Sequence, residues 1–452
     1  MRAPNLFAKS FLVGILFSLA LASWAQTSTM DLKKIYLAAL EHDANIRASR
    51  AAADSGRERL PQALAGLLPQ ISASVGRNNN DLNSTAPNIL GNPVTTNNKY
   101  SSDNKSVQLR QPLVNMQRWH QFQQAKSVVE EVEAILDRDL QNLVVRVSSA
   151  YFETLMADEQ LELVLAQKRT YTALVDSAKK GFTAGSGTRT DIDDAQARLD
   201  MASAQELEMR QNQDLTRRQL ELLVNQPVNQ VAKLNVDALK LSAPEPANLD
   251  AWTQKAEQAS PEIKAMQARL DASRREVSKS MAGHLPTLDA VAQLSNSVSE
   301  NVTRINSRYE NKTLGLQLNI PIFSGGYVNS TIRQAVADQT RAEESLEALR
   351  RDLGVRVHRE YRGVSEGVLR VRALEQAARS AEQMMKSTQL SQKAGSRTQL
   401  DVLNAQQQYT LALRDLAQAR LVYLLSKVRL ASLVGDDAMA SVEQVNGSLA
   451  VK

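Results

Sequence analysis

The chain has 452 residues and a formal net charge of +5, from 54 lysines and arginines against 49 aspartates and glutamates. It has no cysteine, which excludes a disulfide framework and a lipid anchor on an N-terminal cysteine. Basic and acidic residues alternate along segments of helical periodicity, so the small basic excess does not predict a nucleic-acid partner.

Residues 1–25 have the composition of a secretory signal peptide. Arg2 and Lys9 form the basic region, residues 11–22 the apolar core, and Ser23-Trp24-Ala25 a small-residue cleavage site. The apolar run is too short to span a bilayer as a helix, and no later segment has that pattern. We expect a mature protein that begins near residue 26 and leaves the cytoplasm. It is then either soluble in the periplasm or held in a membrane by β-strands.

The rest of the chain is a tandem duplication. Residues 185–192 are echoed by residues 395–402, and residues 65–69 by residues 282–286, while Asp43 and Ser260 occupy equivalent positions as helix N-caps. A period of about 210 residues is far longer than that of a solenoid repeat, so each copy is a domain-sized unit. We assign the first repeat to residues 26–247, the second to 248–434 and a C-terminal tail to 435–452.

Each repeat is predicted to contain a short helical arm followed by two strands. Apolar residues alternate with polar ones in four segments, as at Leu314, Leu316 and Leu318. Prolines at four strand–helix junctions bracket these segments, which are long enough to cross a bilayer at a tilt. Asn/Ser/Thr-rich loops are expected at 83–98 and 301–307. The predicted strands cover about 69–82, 99–112, 286–300 and 308–321.

A very long helical hairpin is predicted to follow each pair of strands. Apolar residues recur every three or four positions from 113 to 225 and again from 322 to 434, as in coiled coils. The first arm of the first hairpin would be about 100 Å long at 1.5 Å per residue. Glycine-containing tips interrupt each hairpin near residues 185 and 395, and Thr188 and Thr190 are N-cap candidates for the returning helix.

Four strands cannot close a barrel, and an open sheet edge is not tolerated in lipid. If the strands lie in a membrane, several chains must share one barrel: two chains give eight strands and a filled interior, three give twelve and an aqueous lumen. The long helices would continue that barrel as a tube into the periplasm. Such an assembly would conduct something across the outer membrane.

Residues 283–289, residues 320–330 and the two tips together resemble TolC-type outer-membrane channels, over about residues 31–435. The resemblance implies a mainly α fold with a membrane β-barrel: a homotrimer with a twelve-stranded barrel, continued by a long periplasmic α-helical barrel. Residues 226–250 and the tail would form an equatorial belt. It also implies docking to a periplasmic adaptor (membrane fusion) protein and an inner-membrane ABC or RND-type transporter. The channel would be a passive conduit for drug efflux or type I protein secretion.

The same resemblance implies a gate at the periplasmic tips. When the family's gate residues are carried over by position, the acidic partner is Asp191, with Thr190 beside it, and the basic partner is Arg397. We expect an Asp191–Arg397 salt bridge in the closed state. The family's tyrosine and glutamine partners fall on Gln392 and Leu174, which suggests a weaker latch here. The adaptor would dock on the tip residues Gly185, Ser186, Gly187, Thr188, Gly395, Ser396 and Thr398.

The family's lumen constriction consists of two aspartate rings. Asp401 matches one ring and Asn404 occupies the position of the other, while Asp194 is the duplicate-equivalent of Asn404 and is a further candidate for the lumen. Three carboxylates in a ring would favour cations. Asp191 and Asp401 also lie in the first turn of a helix, where a carboxylate caps free amides, so both roles remain open.

Enzymatic chemistry is not expected. The four histidines have no metal-ligand spacing, and the sequence has no nucleophile elbow, phosphate loop or cofactor motif. The alternative to a channel is a soluble periplasmic coiled-coil protein, an adaptor or a chaperone. It would share the signal peptide and the long helices but would need no lipid-facing strands.

Overall fold

The computed structural model describes residues 29–449; the predicted signal peptide lies outside the described residues. The elements follow the order predicted from the duplication, and the prediction of a mainly helical chain with four strands is confirmed. The helices of the first repeat are α1 (Leu32–His42), α2 (Ala44–Arg57), α3 (Arg59–Ala65), α4 (Met116–Thr183) and α5 (Arg189–Val224). Those that follow are α6 (Leu249–Ala259), α7 (Pro261–Met281), α8 (Tyr327–Lys393), α9 (Gln399–Leu433) and α10 (Ala438–Asn446).

None of the helices between residues 29 and 449 combines the length and the apolarity that crossing a membrane requires.

The four strands form one antiparallel sheet in the order β1-β2-β3-β4. Strand β1 is Gln70–Pro87, β2 is Pro93–Val114, β3 is Thr287–Val298 and β4 is Arg308–Asn319. Alternate apolar side chains of β1 and β4 are exposed in the single chain, with Leu314 at 84% and Val75 at 77%. Each outer strand of the sheet therefore presents a row of exposed apolar side chains.

The loop predicted at residues 83–98 is wrong, because β1 and β2 continue through most of it. Pairing runs out to Pro87 and Pro93, and only residues 88–92 form the turn. The polar residues that suggested a loop instead hydrogen-bond across the two strands, with 2.7 Å between the hydroxyls of Thr85 and Thr95. Since β2 pairs with β3 only as far as Asp103, the outer part of β1 and β2 extends beyond the sheet as a two-stranded ribbon.

The two hairpins have closely matched lengths. Helices α4 and α8 have 68 and 67 residues, and the returning helices α5 and α9 have 36 and 35. Both long helices begin a few residues later than predicted. β2 runs on to Val114, and Gly325 and Gly326, with φ of +59° and +82°, turn the chain before α8.

The main core lies where the two repeats meet, away from the sheet. It joins residues of both hairpins to the segment 226–248 and to the tail. Tyr151 is fully buried and donates to the carbonyl of Ala232 at 2.7 Å, while Tyr423 binds the backbone of Ser242. Lys33 pairs with Glu443 of α10 at 2.6 Å. These contacts hold residues 226–248 and the tail against the helices. We call these two segments, with the helices they pack on, the equatorial region.

Close packing of α8 on α9 gives a stability prediction. A Cβ at Gly363 would lie 2.5 Å from Ser426 Oγ and 2.9 Å from its Cβ, whereas a Cβ at Gly354 on the same helix would meet nothing within 4 Å. We expect Gly363→Ala to destabilise the protein by about 2 kcal/mol through overpacking. Gly354→Ala, the matched control, should stabilise it by about 0.5–1 kcal/mol. Thermal unfolding of both variants checks this; adding Ser426→Gly should restore Gly363→Ala, and a failure to do so would contradict the contact.

Candidate functional site at the hairpin tips

The two hairpin tips are built in the same way. Gly185 and Gly395 have φ of +77° and +80°, a conformation that strongly favours glycine. The next residue then donates its amide back into the preceding helix, from Ser186 to Gly181 at 2.9 Å and from Ser396 to Ser391 at 3.0 Å. The turn reverses the chain within five residues, so the tips present small polar residues at the end of each hairpin.

A capping box starts each returning helix. The Thr188 hydroxyl accepts from the Asp191 amide at 3.2 Å, and the Asp191 carboxylate accepts from the Thr188 amide at 2.8 Å. Thr398 and Asp401 repeat this arrangement at 3.2 and 3.0 Å. Of the two N-cap candidates in the first tip, the structure therefore uses Thr188, and Thr190 lies exposed in the first turn of α5.

The capping boxes make the tips sensitive to acid. Hydrogen bonds from the hydroxyl and amide of Thr188 lower the pKa of Asp191 below its ordinary value of 3.8, and those from the amide and hydroxyl of Thr398 do the same for Asp401. A carboxyl group whose pKa is lowered by folding stabilises the folded tip above the ordinary value, and this contribution is lost as the pH falls through the folded pKa. We expect amide protection at both tips to be constant from pH 7 to about 5 and to fall below about 3.8.

Hydrogen exchange of the tip amides measures this effect. In Asp191→Asn the first tip should already have the lower protection at pH 7, with the second tip unchanged. A wild-type tip that keeps its full protection at pH 3 would contradict the capping role.

Within one chain, the structure does not form the predicted Asp191–Arg397 salt bridge. Asp191 is engaged by Thr188, and the nearest carboxylate to Arg397 among residues 29–449 belongs to Asp401, with 3.9 Å between Nη1 and Oδ1. The Asp191 carboxylate caps α5 through Oδ2, and no basic side chain among residues 29–449 pairs with it. Gln392 contributes its carbonyl to the second tip, accepting from the Gly395 amide at 2.9 Å. The Asp191–Arg397 latch of the closed state stays a prediction.

The predicted constriction residues of the second repeat do lie together. Asp401, Asn404 and Arg397 line one groove of about 430 Å³ on the second hairpin. Asp194 lies on the first hairpin, where its carboxylate pairs with Arg198 at 3.4 Å, so its charge is partly compensated. The groove can attract cations through Asp401, with Arg397 as a counter-charge at its edge.

A small apolar cluster near the tips was missed by the sequence analysis. It joins the two hairpins of the chain, because Leu403 of α9 is buried with side chains of α4 and α5. Leu174, at the position of the family's glutamine latch partner, is one of its members. No periodic signal could have revealed a contact between residues so far apart in the sequence. We call this the tip cluster: Tyr171, Leu174, Val175, Ala195, Ala202 and Leu403.

Comparison with known proteins agrees with this architecture. The family model described as "Outer membrane efflux protein" matches residues 35–226 and 252–436. The chain is 30% identical to the proteases secretion protein PrtF of Dickeya chrysanthemi, over 92% of this chain and 90% of the relative. It is 32% identical to the alkaline protease secretion protein AprF of Pseudomonas aeruginosa, over 91% of this chain and 85% of the relative. The solved structure of the Campylobacter jejuni CmeC outer membrane channel has a TM-score of 0.77 and 15% sequence identity to this protein. The match covers 93% of this chain and 90% of the CmeC chain.

The fold and the duplicated hairpins thus define an outer-membrane channel-tunnel, in agreement with the family resemblance of the sequence motifs. The chain belongs to the outer membrane efflux protein family. It is a channel located in the outer membrane with a periplasmic extension, and the alternative of a soluble adaptor or chaperone receives no support. The members of this family are transport channels rather than enzymes.

Proposed function

We propose that three copies of the chain form a passive exit duct for type I secretion, with an exported polypeptide as cargo. The observation that carries the cargo assignment is the identity of 30% and 32% to two proteins named for protease secretion, each over nine-tenths of this chain. The duct works with a periplasmic adaptor and an inner-membrane transporter. That transporter is of the ABC type in the secretion proposal, and an RND-type partner belongs to the efflux alternative.

The sheet supports the assembly of several chains. Within residues 29–449, β1 and β4 each have a strand partner on one side only, so a four-stranded sheet leaves two unpaired edges. In lipid such edges are costly, and pairing β1 of one chain with β4 of the next satisfies both. The exposed apolar residues of these strands, such as Ile71 and Leu316, then face the lipid.

Three copies fit a conduit better than two. Three sheets give twelve strands, which enclose an aqueous lumen, whereas eight strands leave an interior that side chains fill. The long helices α4 and α8 then continue the lumen for about 100 Å into the periplasm. Nothing in the sequence provides a nucleotide site, so energy comes from the inner-membrane transporter.

Complementation tests the cargo. In a host that exports a protease through an ABC transporter and an adaptor but lacks its outer-membrane channel, expression of this chain should restore extracellular protease activity. A parallel host lacking its drug-efflux channel measures drug tolerance. Restored tolerance without secreted protease would overturn the secretion proposal in favour of efflux. Cross-linking of the purified protein should yield trimers, and monomers alone would contradict the shared barrel.

A further inference from the structure

The duplication places two helix N-caps in equivalent positions, but only the first one is filled by a carboxylate. In the first repeat, Asp43 is buried at the start of α2 and accepts from the amide of Ile46 at 2.9 Å. The guanidinium group of Arg146 in α4 donates two hydrogen bonds to the same carboxylate, at 3.3 and 3.4 Å. An anionic group thus sits between a helix N-terminus and a guanidinium group, which is a favourable place for negative charge.

The second repeat has Ser260 at that position. Ser260 is 2% exposed, and in the part of the chain from 29 to 449 its hydroxyl makes no hydrogen bond, not even to the helix that it precedes. That helix, α7, has 21 residues and begins with Pro261, so the amides of the next two residues receive no side-chain cap. The carboxylate that pairs with the second repeat's equivalent arginine, Arg356, comes instead from Glu262 in the first turn of α7, and the cap position itself has no carboxylate.

A cavity of about 190 Å³ opens beside Ser260 and is rich in arginine. Arg356, the equivalent of Arg146, reaches it from α8 and pairs with Glu262 at 2.5 Å. Arg359 and Arg429 replace Ser149 and Gln219 of the first repeat, while Glu262 and Glu360 replace Asn45 and Ala150, so this lining has gained two guanidinium groups and two carboxylates. The complete charged lining is Arg138, Glu262, Arg356, Arg359, Glu360 and Arg429.

The lining is not fully neutralised from within. Arg138 pairs with the adjacent Asp139 at 2.8 Å, and Arg359 with the adjacent Glu360 at 3.0 Å. Arg429 takes part in no hydrogen bond or ion pair between residues 29 and 449, although it is partly buried. Arg356 is compensated by two carboxylates, with Glu262 at 2.5 Å and Asp352 2.8 Å from Nε. Arg429 is therefore the guanidinium group of this lining that can pair with an added anion.

We propose that this cavity binds a small oxyanion of the phosphate type beside the N-terminus of α7, which has no side-chain cap. The anion accepts from Ser260 and the free amides of α7 on one side and from the guanidinium group of Arg429 on the other. Because α4, α7, α8 and α9 all line the cavity, the bound anion ties the second repeat's arm to its hairpin.

The ligand is a free anion rather than a lipid headgroup. Arg138 lies about 33 Å along α4 from the end of the sheet, at 1.5 Å per residue, and the cavity is lined by α4, α7, α8 and α9. The membrane surface does not reach this depth.

Calorimetric titration of the purified, full-length protein with inorganic phosphate tests the proposal, at constant ionic strength set with sodium chloride. We expect saturable binding of one phosphate per chain. Arg429→Gln, which restores the residue of the first repeat, should weaken binding about tenfold or more, because it removes a charged hydrogen bond. Arg370→Gln removes an exposed arginine from α8 and is the matched control, with unchanged affinity.

Ser260→Asp provides an independent readout. It places a carboxylate at the cap position, as Asp43 does in the first repeat, so it should abolish phosphate binding while raising the unfolding temperature of the phosphate-free protein to or above that of the wild type with phosphate. Wild-type protein without saturable binding, or equal phosphate affinity in the wild type, Arg429→Gln and Arg370→Gln, would overturn the proposal. If Ser260→Asp does not fold, the phosphate affinities of Arg429→Gln and Arg370→Gln decide whether the proposal holds.

Discussion

Replacing Leu403 with alanine is expected to raise the resting conductance of the channel about tenfold. Leu403 is 3% exposed and is the only member of the tip cluster that the second hairpin contributes. Truncation of a buried leucine costs about 2–5 kcal/mol, and about 1.4 kcal/mol already changes an open-to-closed ratio tenfold. Because the lost contacts join the two hairpins, the substitution favours the arrangement in which they separate.

Single-channel recording of Leu403→Ala measures this effect, with Leu390→Ala as the matched control. Leu390 lies near the same tip but is 66% exposed, so its truncation should leave the resting conductance unchanged. Arg397→Ala and Asp191→Ala test the polar latch that the family resemblance implies between these two residues. If these two variants open the channel while Leu403→Ala does not, the polar latch rather than the tip cluster holds the closed state.

Replacing Asp401 with asparagine is expected to lower cation selectivity, with a fall of about threefold in the permeability ratio of potassium to chloride. In the proposed trimer the substitution removes three carboxylates from one ring, and their field at the pore axis is weakened but not abolished by water and salt. Asp191→Asn is a close control, because it disrupts the same kind of capping box on the other hairpin. Both variants lose a cap, so a difference between them isolates the ring charge.

Reversal potentials in a salt gradient give the selectivity directly. Equal reversal potentials in the wild type and Asp401→Asn would contradict a lumen role for Asp401. If Asp191→Asn changed selectivity as much as Asp401→Asn, the effect would come from loss of the helix cap and not from a carboxylate ring. Asp194→Asn should have little effect, because Arg198 already compensates that charge.

Much of the architecture could be predicted from the sequence because it depends on local patterns. The repeated tip motif marks both hairpin ends, since a positive φ at Gly185 and Gly395 needs glycine. The N-cap roles of Asp43 and Thr188 follow from side chains that bond to nearby amides. The helical spacing of apolar residues in α4 and α8 likewise indicates one buried face per helix.

Other features depend on contacts between distant residues and have no local signal. The extended β1–β2 ribbon contains residues typical of turns, and only their pairing across the strands makes them strand residues. The burial of Leu403 with Leu174 joins two repeats, so no periodic pattern indicates it. The predicted Asp191–Arg397 bridge would join the tips of two repeats, which no local pattern reports, and within the chain Arg397 pairs with Asp401 instead.

The central claim, that copies of this chain form a conducting pore, is tested most directly by single-channel recording of the purified wild-type protein in planar lipid bilayers. The structure predicts discrete, cation-selective conductance steps from a trimeric species that needs detergent or lipid to stay in solution. A detergent-free, soluble protein that produces no steps at any voltage would contradict the claim.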